Sequence, residues 1–189
     1  MSTTPEPPRR RSSRRNVRTI FHCPGCRRPL ESDTGWCTCC GFSGAQSLQM
    51  FANPPPPLLP ILDAVGLWNP QDLRTIEAAR DAASLRLPQF QWRVCCVNLP
   101  PETSLPLFGF WLLNTSSLLE NETARQREWA VMLLLDVASG QAAVIPGYAA
   151  EASLSDEDWK RVIQHMAPHW QRGRIAEAVG GFSTNRKFS

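Results

Sequence analysis

No apolar run in this sequence is long enough to cross a membrane. The longest runs cover residues 105–113 and 129–135, whereas a membrane-spanning helix needs about 20 apolar residues. No apolar stretch follows the arginines near the N-terminus, so a secretory signal is not expected. The odd number of cysteines, seven, fits thiols and metal ligands in a reducing compartment. We therefore expect a cytoplasmic protein with no membrane span.

Several signatures of catalysis are also missing. The sequence contains neither the G-x-S-x-G pattern of a serine hydrolase nor the G-x-x-x-x-G-K pattern of a phosphate-binding loop. It has no internal repeat. The catalytic residues, if the protein is an enzyme, are therefore unknown from motifs of this kind.

Charge is distributed unevenly along the chain. The net charge of the whole chain is +3. Residues 1–20 alone carry +5, because they hold six arginines against Glu6. The arginines are Arg9, Arg10, Arg11, Arg14, Arg15 and Arg18. This stretch has little to bury, so we interpret it as a disordered basic arm that binds nucleic acid or acidic lipid, or serves only as a solvated tail. The remainder, at −2, argues against a large nucleic-acid surface on the folded part.

Two C-x-x-C pairs carry the most specific chemistry in the chain. Cys23 and Cys26 form the first pair, and Cys37 and Cys40 form the second. Zinc binds four ligands in a tetrahedral arrangement, with zinc–sulfur distances of about 2.3 Å. Each C-x-x-C turn brings two thiolates together. Four cysteines fill the coordination shell, which favours a structural zinc over a catalytic one. Residues 21–45 are too few to form an adequate core, so the metal would drive folding of this predicted zinc ribbon.

Cys39 is an extra thiol in the same segment. It could replace Cys37 or Cys40 as a ligand, although the resulting spacing is less regular. Its role is left open by the sequence. A thiol-rich loop or a redox pair is the alternative interpretation of the whole segment.

The second half of the chain shows the periodic apolar patterns of a packed domain. Residues 46–66, which include four consecutive prolines, are predicted to be a semi-rigid spacer. Asn69 and Pro70 predict a helix start. Helices are predicted at 70–85, 104–114, 155–167 and 173–179, with Pro168 ending or kinking the third. Strands are predicted at 92–99, 129–137 and 141–145, the last two antiparallel. The expected fold class is α/β, a small mixed sheet sandwiched by helices.

The segment after these strands resembles a known family. Gly147, Tyr148 and Glu151, followed by Leu154 and Asp156, fall on a loop and helix start of the TPM domain family, which is named for a photosystem II repair protein and other founding members of a proposed phosphatase group. The resemblance covers residues 67–182, and residues 183–189 are a short tail. It implies helices on both faces of a small sheet, and an acidic pocket that in some members binds a divalent cation and is reported to support phosphatase activity.

Three carboxylates are the candidates for that pocket: Asp136, Glu151 and Asp156. Carboxylates at loop ends suit calcium or magnesium. The alternative is that Asp136 ends a strand, Asp156 serves a helix N-terminus and Glu151 is solvated.

Two further groups have weaker functional interpretations. His165 and His169 are four residues apart, as in a metal pair, but Pro168 lies between them and no third ligand is evident. A surface pair is the simpler interpretation. Cys95 and Cys96 lie in a predicted strand, where cysteine behaves as a small buried apolar residue.

Three functions remain open at this stage. The first is an interaction or adaptor protein, in which the ribbon recruits an unidentified protein partner. The second is a divalent-cation-dependent, phosphatase-like hydrolase that uses Asp136, Glu151 and Asp156. The third is nucleic-acid binding through the ribbon and the basic arm.

Overall fold

The computed structural model describes residues 21–23, 26, 28–30, 36–43, 51, 54–120 and 122–183. The predicted arm over residues 1–20 and most of the predicted tail lie outside these ranges, as do parts of the predicted ribbon and spacer. The described strands form a small antiparallel hairpin and a four-stranded mixed sheet. The hairpin consists of β1 (Phe21–His22) and β2 (Pro29–Leu30). The mixed sheet contains, in order across it, β3 (Ile61–Asp63), β4 (Gln91–Val97), β5 (Ala130–Asp136) and β6 (Gln141–Pro146).

Helices cover both faces of the mixed sheet. They are α1 (Pro70–Arg86), α2 (Leu105–Thr115), α3 (Ala124–Glu128), α4 (Tyr148–Ala152), α5 (Asp156–Trp170) and α6 (Ile175–Ser183). One core joins α1, α5 and α6 to side chains such as Val94 and Val131. A second core joins α2 to side chains on the opposite sheet face, such as Cys95 and Met132. The predicted fold class, a small mixed sheet sandwiched by helices, is confirmed.

The central strands account for the apolar runs in the sequence. β5 is buried at all seven positions and β4 at six of seven. They pair in parallel over their full lengths, with Gln91 opposite Ala130 and Val97 opposite Asp136. Burial on both faces requires apolar residues at successive positions, so neither strand alternates strictly. β6 returns antiparallel to β5, as predicted.

The two parallel connections have opposite hand. The steps from β3 to β4 and from β4 to β5 run in the same direction across the sheet, yet α1 packs on one face and α2 on the other. Crossovers that step the same way but pass over opposite faces cannot both be right-handed. One of them therefore departs from the nearly universal right-handed rule.

Helix α1 begins where the sequence predicts. The Asn69 side chain accepts hydrogen bonds from the backbone N–H groups of Gln71 and Asp72, at 2.8 and 3.0 Å, while an Asp72 carboxylate oxygen accepts from the Asn69 N–H at 3.2 Å. This reciprocal capping box satisfies N–H groups that the first turn of a helix leaves without partners.

A buried cation secures the start of the sheet. Arg93 on β4 is only 3% exposed. Its guanidinium donates to the Leu58 carbonyl at 2.6 Å and to a Glu122 carboxylate oxygen at 2.5 Å. Nearby, burial and the positive charge of Arg93 lower the pKa of Arg127. Arg127 in turn donates to the carbonyl of Asn114 at 2.9 Å. These bonds tie together segments that are distant in sequence.

The structure differs from the sequence prediction at several boundaries. Residues assigned to the proline-rich spacer form β3, which pairs in parallel with β4, and Leu58 lies in the core. Short helices, α3 and α4, occupy segments for which no helix was predicted. Pro168 lies inside α5, which continues to Trp170. None of the helices in the described residues is both long and apolar enough to cross a membrane.

Candidate metal centre and the adjoining cleft

Four thiols meet at the hairpin end of the molecule. The Sγ atoms of Cys23, Cys26, Cys37 and Cys40 all lie within 4.8 Å of one another. Two of the separations are 3.6 Å, between Cys23 and Cys40, and 3.7 Å, between Cys26 and Cys37. Four sulfurs placed tetrahedrally at about 2.3 Å from zinc would be about 3.8 Å apart. The arrangement therefore forms a four-cysteine cluster compatible with a tetrahedral metal ion.

Backbone hydrogen bonds hold the two cysteine turns in shape. The Cys23 N–H donates to the Arg28 carbonyl at 2.8 Å, and the Cys37 N–H donates to the Phe42 carbonyl at 2.7 Å. Gly41 closes the second turn by donating to the Cys37 carbonyl at 2.8 Å. Its φ of +74° lies in the left-handed region, which glycine adopts without steric cost.

The environment favours a thiolate at Cys37. The backbone N–H of Cys40 has the largest influence and lowers the pKa of Cys37 to about 6, against a smaller opposing effect of burial. Cys23 and Cys37 are 1% and 2% exposed, whereas Cys40 is exposed. The thiolate is the form that binds metal, so the lowered pKa suits Cys37 to the role of a ligand.

Cys39 does not belong to the cluster. It is exposed, and the group of thiols close enough to share a metal among the described residues consists of the other four. The geometry thus favours the regular pairing of Cys37 with Cys40 over the alternatives that include Cys39.

The hairpin end packs against the larger domain. The rings of Phe42 and Phe110 meet edge to face at 5.7 Å, and Phe110 contacts Tyr148 in the same way at 6.4 Å. A cavity of about 350 Å³ lies beside this contact, and Cys23 forms part of its wall. The remaining wall comes from α2, β6, α4 and α5, including Trp159 and Lys160.

The three candidate carboxylates are not brought together. Glu151 on α4 and Asp156 at the start of α5 both line the 350 Å³ cleft. Asp136 instead lines a separate cavity of about 600 Å³, bounded by the starts of α1 and α6. Because β6 runs antiparallel to β5, Asp136 lies at the opposite end of the strands from α4. A single calcium or magnesium pocket therefore cannot be built from all three.

Asp136 is occupied by local hydrogen bonds. Its carboxylate accepts from the N–H groups of Leu99 and Ala138, at 3.1 and 3.2 Å, and from the Ser139 hydroxyl at 2.5 Å. Burial tends to raise the pKa of Asp136, but these donors together outweigh it and lower the pKa. The carboxylate organises the turn between β5 and β6.

Asp63, at the end of β3, has a similar role that the sequence reasoning missed. Its carboxylate accepts from the N–H groups of Val65, Leu67 and Trp68, at 3.3, 3.0 and 2.9 Å. The signal that could have identified it is an aspartate that follows two apolar residues and comes three positions before a glycine, Gly66. The φ of Gly66 is +67°. An aspartate in that context is typical of a carboxylate-ordered turn.

The remaining candidates have structural surroundings. His169 Nδ1 lies 3.0 Å from a Glu177 carboxylate oxygen, and no cluster of three metal-ligating side chains includes either histidine in the described part of the chain. Cys95 and Cys96 are buried on opposite sheet faces. Burial raises the pKa of Cys95 to about 12 and that of Cys96 to about 11, so both are poor nucleophiles.

The fold and the site together define an α/β domain that carries a cluster of four cysteines against one end. Residues 65–185 match the TPM domain family. The chain therefore belongs to the TPM domain family, as the sequence resemblance predicted. Among solved structures, it is similar to the solution NMR structure of the N-terminal domain of a protein from P. gingivalis, with 18% sequence identity and a TM-score of 0.44. That similarity covers 72% of this chain and 82% of the other. No curated protein matches the sequence significantly.

Proposed function

We propose that this protein is an interaction protein in which a structural zinc ribbon is fixed against a TPM domain. The observation that carries the proposal is the convergence of the Sγ atoms of Cys23, Cys26, Cys37 and Cys40 within 4.8 Å. Thiolates are soft ligands, and a tetrahedral set of four is typical of structural zinc.

The ligand set favours a structural role over a catalytic one. Four protein thiolates leave no coordination position for water or substrate, so the metal cannot activate either. The described hairpin has strands of two residues each, which bury too little to fold alone. Metal binding would therefore contribute directly to the folding of this end of the molecule.

The way in which the ribbon is held supports the proposed adaptor role. The contact between Phe42 and Phe110 at 5.7 Å and the shared wall at Cys23 fix the ribbon beside a cleft with aromatic and charged lining. A fixed ribbon adds a second binding surface to the domain without adding catalytic groups. The odd number of cysteines, seven, favours thiols and metal ligands in a reducing compartment, and we propose a cytoplasmic location.

Metal analysis of the full chain tests the zinc site. We expect one zinc per chain, with Cys37→Ser reducing the stoichiometry to near zero, because sulfur is lost from a closed shell. Cys39→Ser is the matched control, since Cys39 lies two residues away and outside the cluster. Loss of zinc from both variants, or from neither, would contradict the proposed ligand set.

A second candidate function, a divalent-cation-dependent phosphatase-like hydrolase, is favoured by one observation. Glu151 and Asp156 line the same cleft as Lys160. Two carboxylates can hold a magnesium or calcium ion, and the lysine ammonium can contact the phosphate ester that this ion binds. Asp136 takes no part in this version of the site.

Hydrolysis of a generic phosphate monoester with added magnesium or calcium tests this function. If it is correct, activity requires the cation, and Asp156→Ala lowers it about 100-fold. Glu157→Ala is the matched control, because Glu157 is the next residue but does not line the cleft. Purified protein without cation-dependent activity would exclude the hydrolase.

A further inference from the structure

The cavity of about 600 Å³ takes no part in the zinc ribbon or in the cleft beside it. It lies between the start of α1, the turn from β5 to β6 and the start of α6. This position is at the carboxyl end of β5, and proteins with open α/β sheets bind their ligands at the carboxyl ends of parallel strands. A cavity of this size is typical of a site for a small organic molecule.

Two tryptophans give this cavity its aromatic lining. Trp68 precedes α1 and Trp170 ends α5. Both are partly buried and pack against the core on that face of the sheet. The backbone of Trp68 is fixed, because its N–H donates to the Asp63 carboxylate at 2.9 Å. The face of an indole carries partial negative charge and attracts cations, so the aromatic lining favours a cationic ligand.

The charged lining has the same preference. The carboxylates of Asp72, Asp136 and Glu177 line the cavity, against the single guanidinium of Arg174. That guanidinium lies 2.9 Å from a Glu177 carboxylate oxygen, so the positive charge is paired within the wall. The lining has a net charge of −2, which repels phosphate and other anions and attracts a cation.

An organic cation fits this lining better than a metal ion does. In the described part of the chain, no group of three close metal-ligating side chains includes these carboxylates. The wall also offers apolar surface, since Leu67 and Val137 line the cavity and are 50% and 45% exposed. A primary ammonium is strongly hydrated, whereas a quaternary ammonium presents methyl groups that pack against aromatic and apolar side chains. The lining therefore favours a methylated ammonium group.

We propose that this cavity binds a trimethylammonium group, with Trp68 and Trp170 contacting its methyl groups and Asp72 and Glu177 balancing its charge. None of the four clustered cysteines lines the cavity. The inference is therefore independent of the zinc ribbon and adds a ligand-binding activity to the TPM domain. The trimethylammonium group has two sources, a free solute such as choline or a trimethylated lysine of another protein.

Calorimetric titration of the full chain with choline tests the inference. The matched control ligand is the neutral isostere of choline, in which a carbon atom replaces the charged nitrogen. We expect choline to bind at least about tenfold more tightly than this alcohol, because the alcohol makes no cation–π contact. Equal affinities for the two ligands, or no binding of choline, would overturn the inference without any substitution in the protein.

The aromatic contribution is measured with a tryptophan variant. Trp170→Leu keeps an apolar side chain but removes the indole face, so we expect choline binding to weaken about tenfold. Trp170→Phe should recover part of the loss. Trp36→Leu is the matched control, since Trp36 is 56% exposed on the ribbon and does not line the cavity. Equal effects of Trp170→Leu and Trp36→Leu would contradict the assignment of the site.

The charge contribution is measured with a carboxylate variant. Asp72→Asn should weaken choline binding about fivefold and leave binding of the neutral isostere unchanged. Asp81→Asn is the matched control, because Asp81 lies on the same helix but outside the cavity. A loss of choline binding in both variants, or in neither, would show that the charge of the cavity does not hold the ligand.

An acetylated and amidated trimethyllysine, titrated in the same way, identifies the source of the ammonium group. Tighter binding than that of choline indicates a protein partner, and weaker binding indicates a free solute. Zinc stoichiometry measured on the same samples tests the ribbon separately, because the cavity and the cysteine cluster share no residue.

Discussion

Single carboxylates organise the turns at one end of the sheet. Asp63 and Asp136 each accept several backbone N–H bonds at the carboxyl ends of parallel strands. Neither carboxylate points to catalysis, because each accepts three hydrogen bonds, all from the backbone at Asp63 and one from the Ser139 hydroxyl at Asp136. At the scale of residues, the polar chemistry in this region serves the fold.

Asp63 gives a prediction about pH. Burial of the carboxyl tends to raise its pKa, but the backbone donors of Trp68 and its neighbours prevail, so the pKa of Asp63 is lowered in the folded state. The stabilisation that the Asp63 carboxylate provides is therefore fully present above the pKa of an aspartate in the unfolded chain, about 3.9. It is lost as the pH falls through the lower pKa of Asp63 in the folded protein. Asp63→Asn should destabilise the protein by about 2 kcal/mol at pH 7 and flatten the loss of stability below about pH 4.

Urea denaturation followed by circular dichroism at several pH values measures this effect. Asp81→Asn is a suitable control, because Asp81 lies on the exposed side of α1. If Asp63→Asn lost stability at acid pH as steeply as the wild-type chain does, the proposed role of the Asp63 carboxylate would be wrong.

The buried ion pair gives a second prediction. Arg93 and Glu122 have side chains that are 3% and 11% exposed. Arg93→Met removes one partner and leaves a carboxylate in an apolar setting, so we expect a loss of about 3–5 kcal/mol. The double variant Arg93→Met/Glu122→Leu should lose clearly less, which chemical denaturation can establish. Equal losses in the single and double variants would mean that the charge of Glu122 is not the cause.

At the scale of elements, helix α2 depends on a close approach to the sheet. A Cβ placed on Gly109 would lie 2.5 Å from Ile145 Cγ1 and 2.9 Å from Leu134 Cδ2. Gly109→Ala should therefore lower the free energy of unfolding by about 1–3 kcal/mol, because the packed side chains of Ile145 and Leu134, or helix α2 itself, must shift. Gly180 on α6 is the contrasting site, since a Cβ there meets nothing within 4 Å. Gly180→Ala should be neutral or stabilise by up to about 1 kcal/mol, and thermal unfolding of both variants checks the pair.

Elements with a strong local pattern were predictable from sequence. The apolar run of β5 and the N-cap at Asn69 are patterns of neighbouring residues, and the sequence predicted both. β3 has three residues, each of intermediate burial, and exists because it pairs with β4, about 30 positions later. Pairing over that distance leaves no local pattern, so β3 was assigned to the spacer.

The candidate sites show the same contrast. The four clustered cysteines lie in two short motifs, and motif spacing is local. To predict whether Asp136, Glu151 and Asp156 lie close together, one must know which end of the sheet each residue occupies. The predicted hairpin already held that information: Asp136 precedes the turn, whereas Glu151 follows the six-residue β6, which spans about 20 Å. The opposite hand of the two crossovers, by contrast, has no sequence signal.

At the scale of the whole molecule, the rings of Phe42 and Phe110 join the ribbon to the TPM domain. Phe42→Ala removes the aromatic contact with Phe110, worth about 1 kcal/mol. We expect it to retain one zinc but to lose zinc to a chelator several-fold faster, because the hairpin separates from the domain more often. Trp36→Ala, at an exposed position of the ribbon, should leave the release rate unchanged. Identical release from both variants would show that the docking contact does not protect the metal.

The bond from Arg93 to the Leu58 carbonyl decides where the chain can be shortened. A fragment that starts at residue 54 keeps that acceptor and the N–H of Leu58, which donates to the Ser117 carbonyl at 3.1 Å. A fragment that starts at residue 61 retains every strand of the mixed sheet, but Nη1 of the buried Arg93 loses its acceptor while Nη2 keeps Glu122. For expression of the TPM domain alone, the useful boundary therefore lies among the prolines and not at the first residue of the sheet.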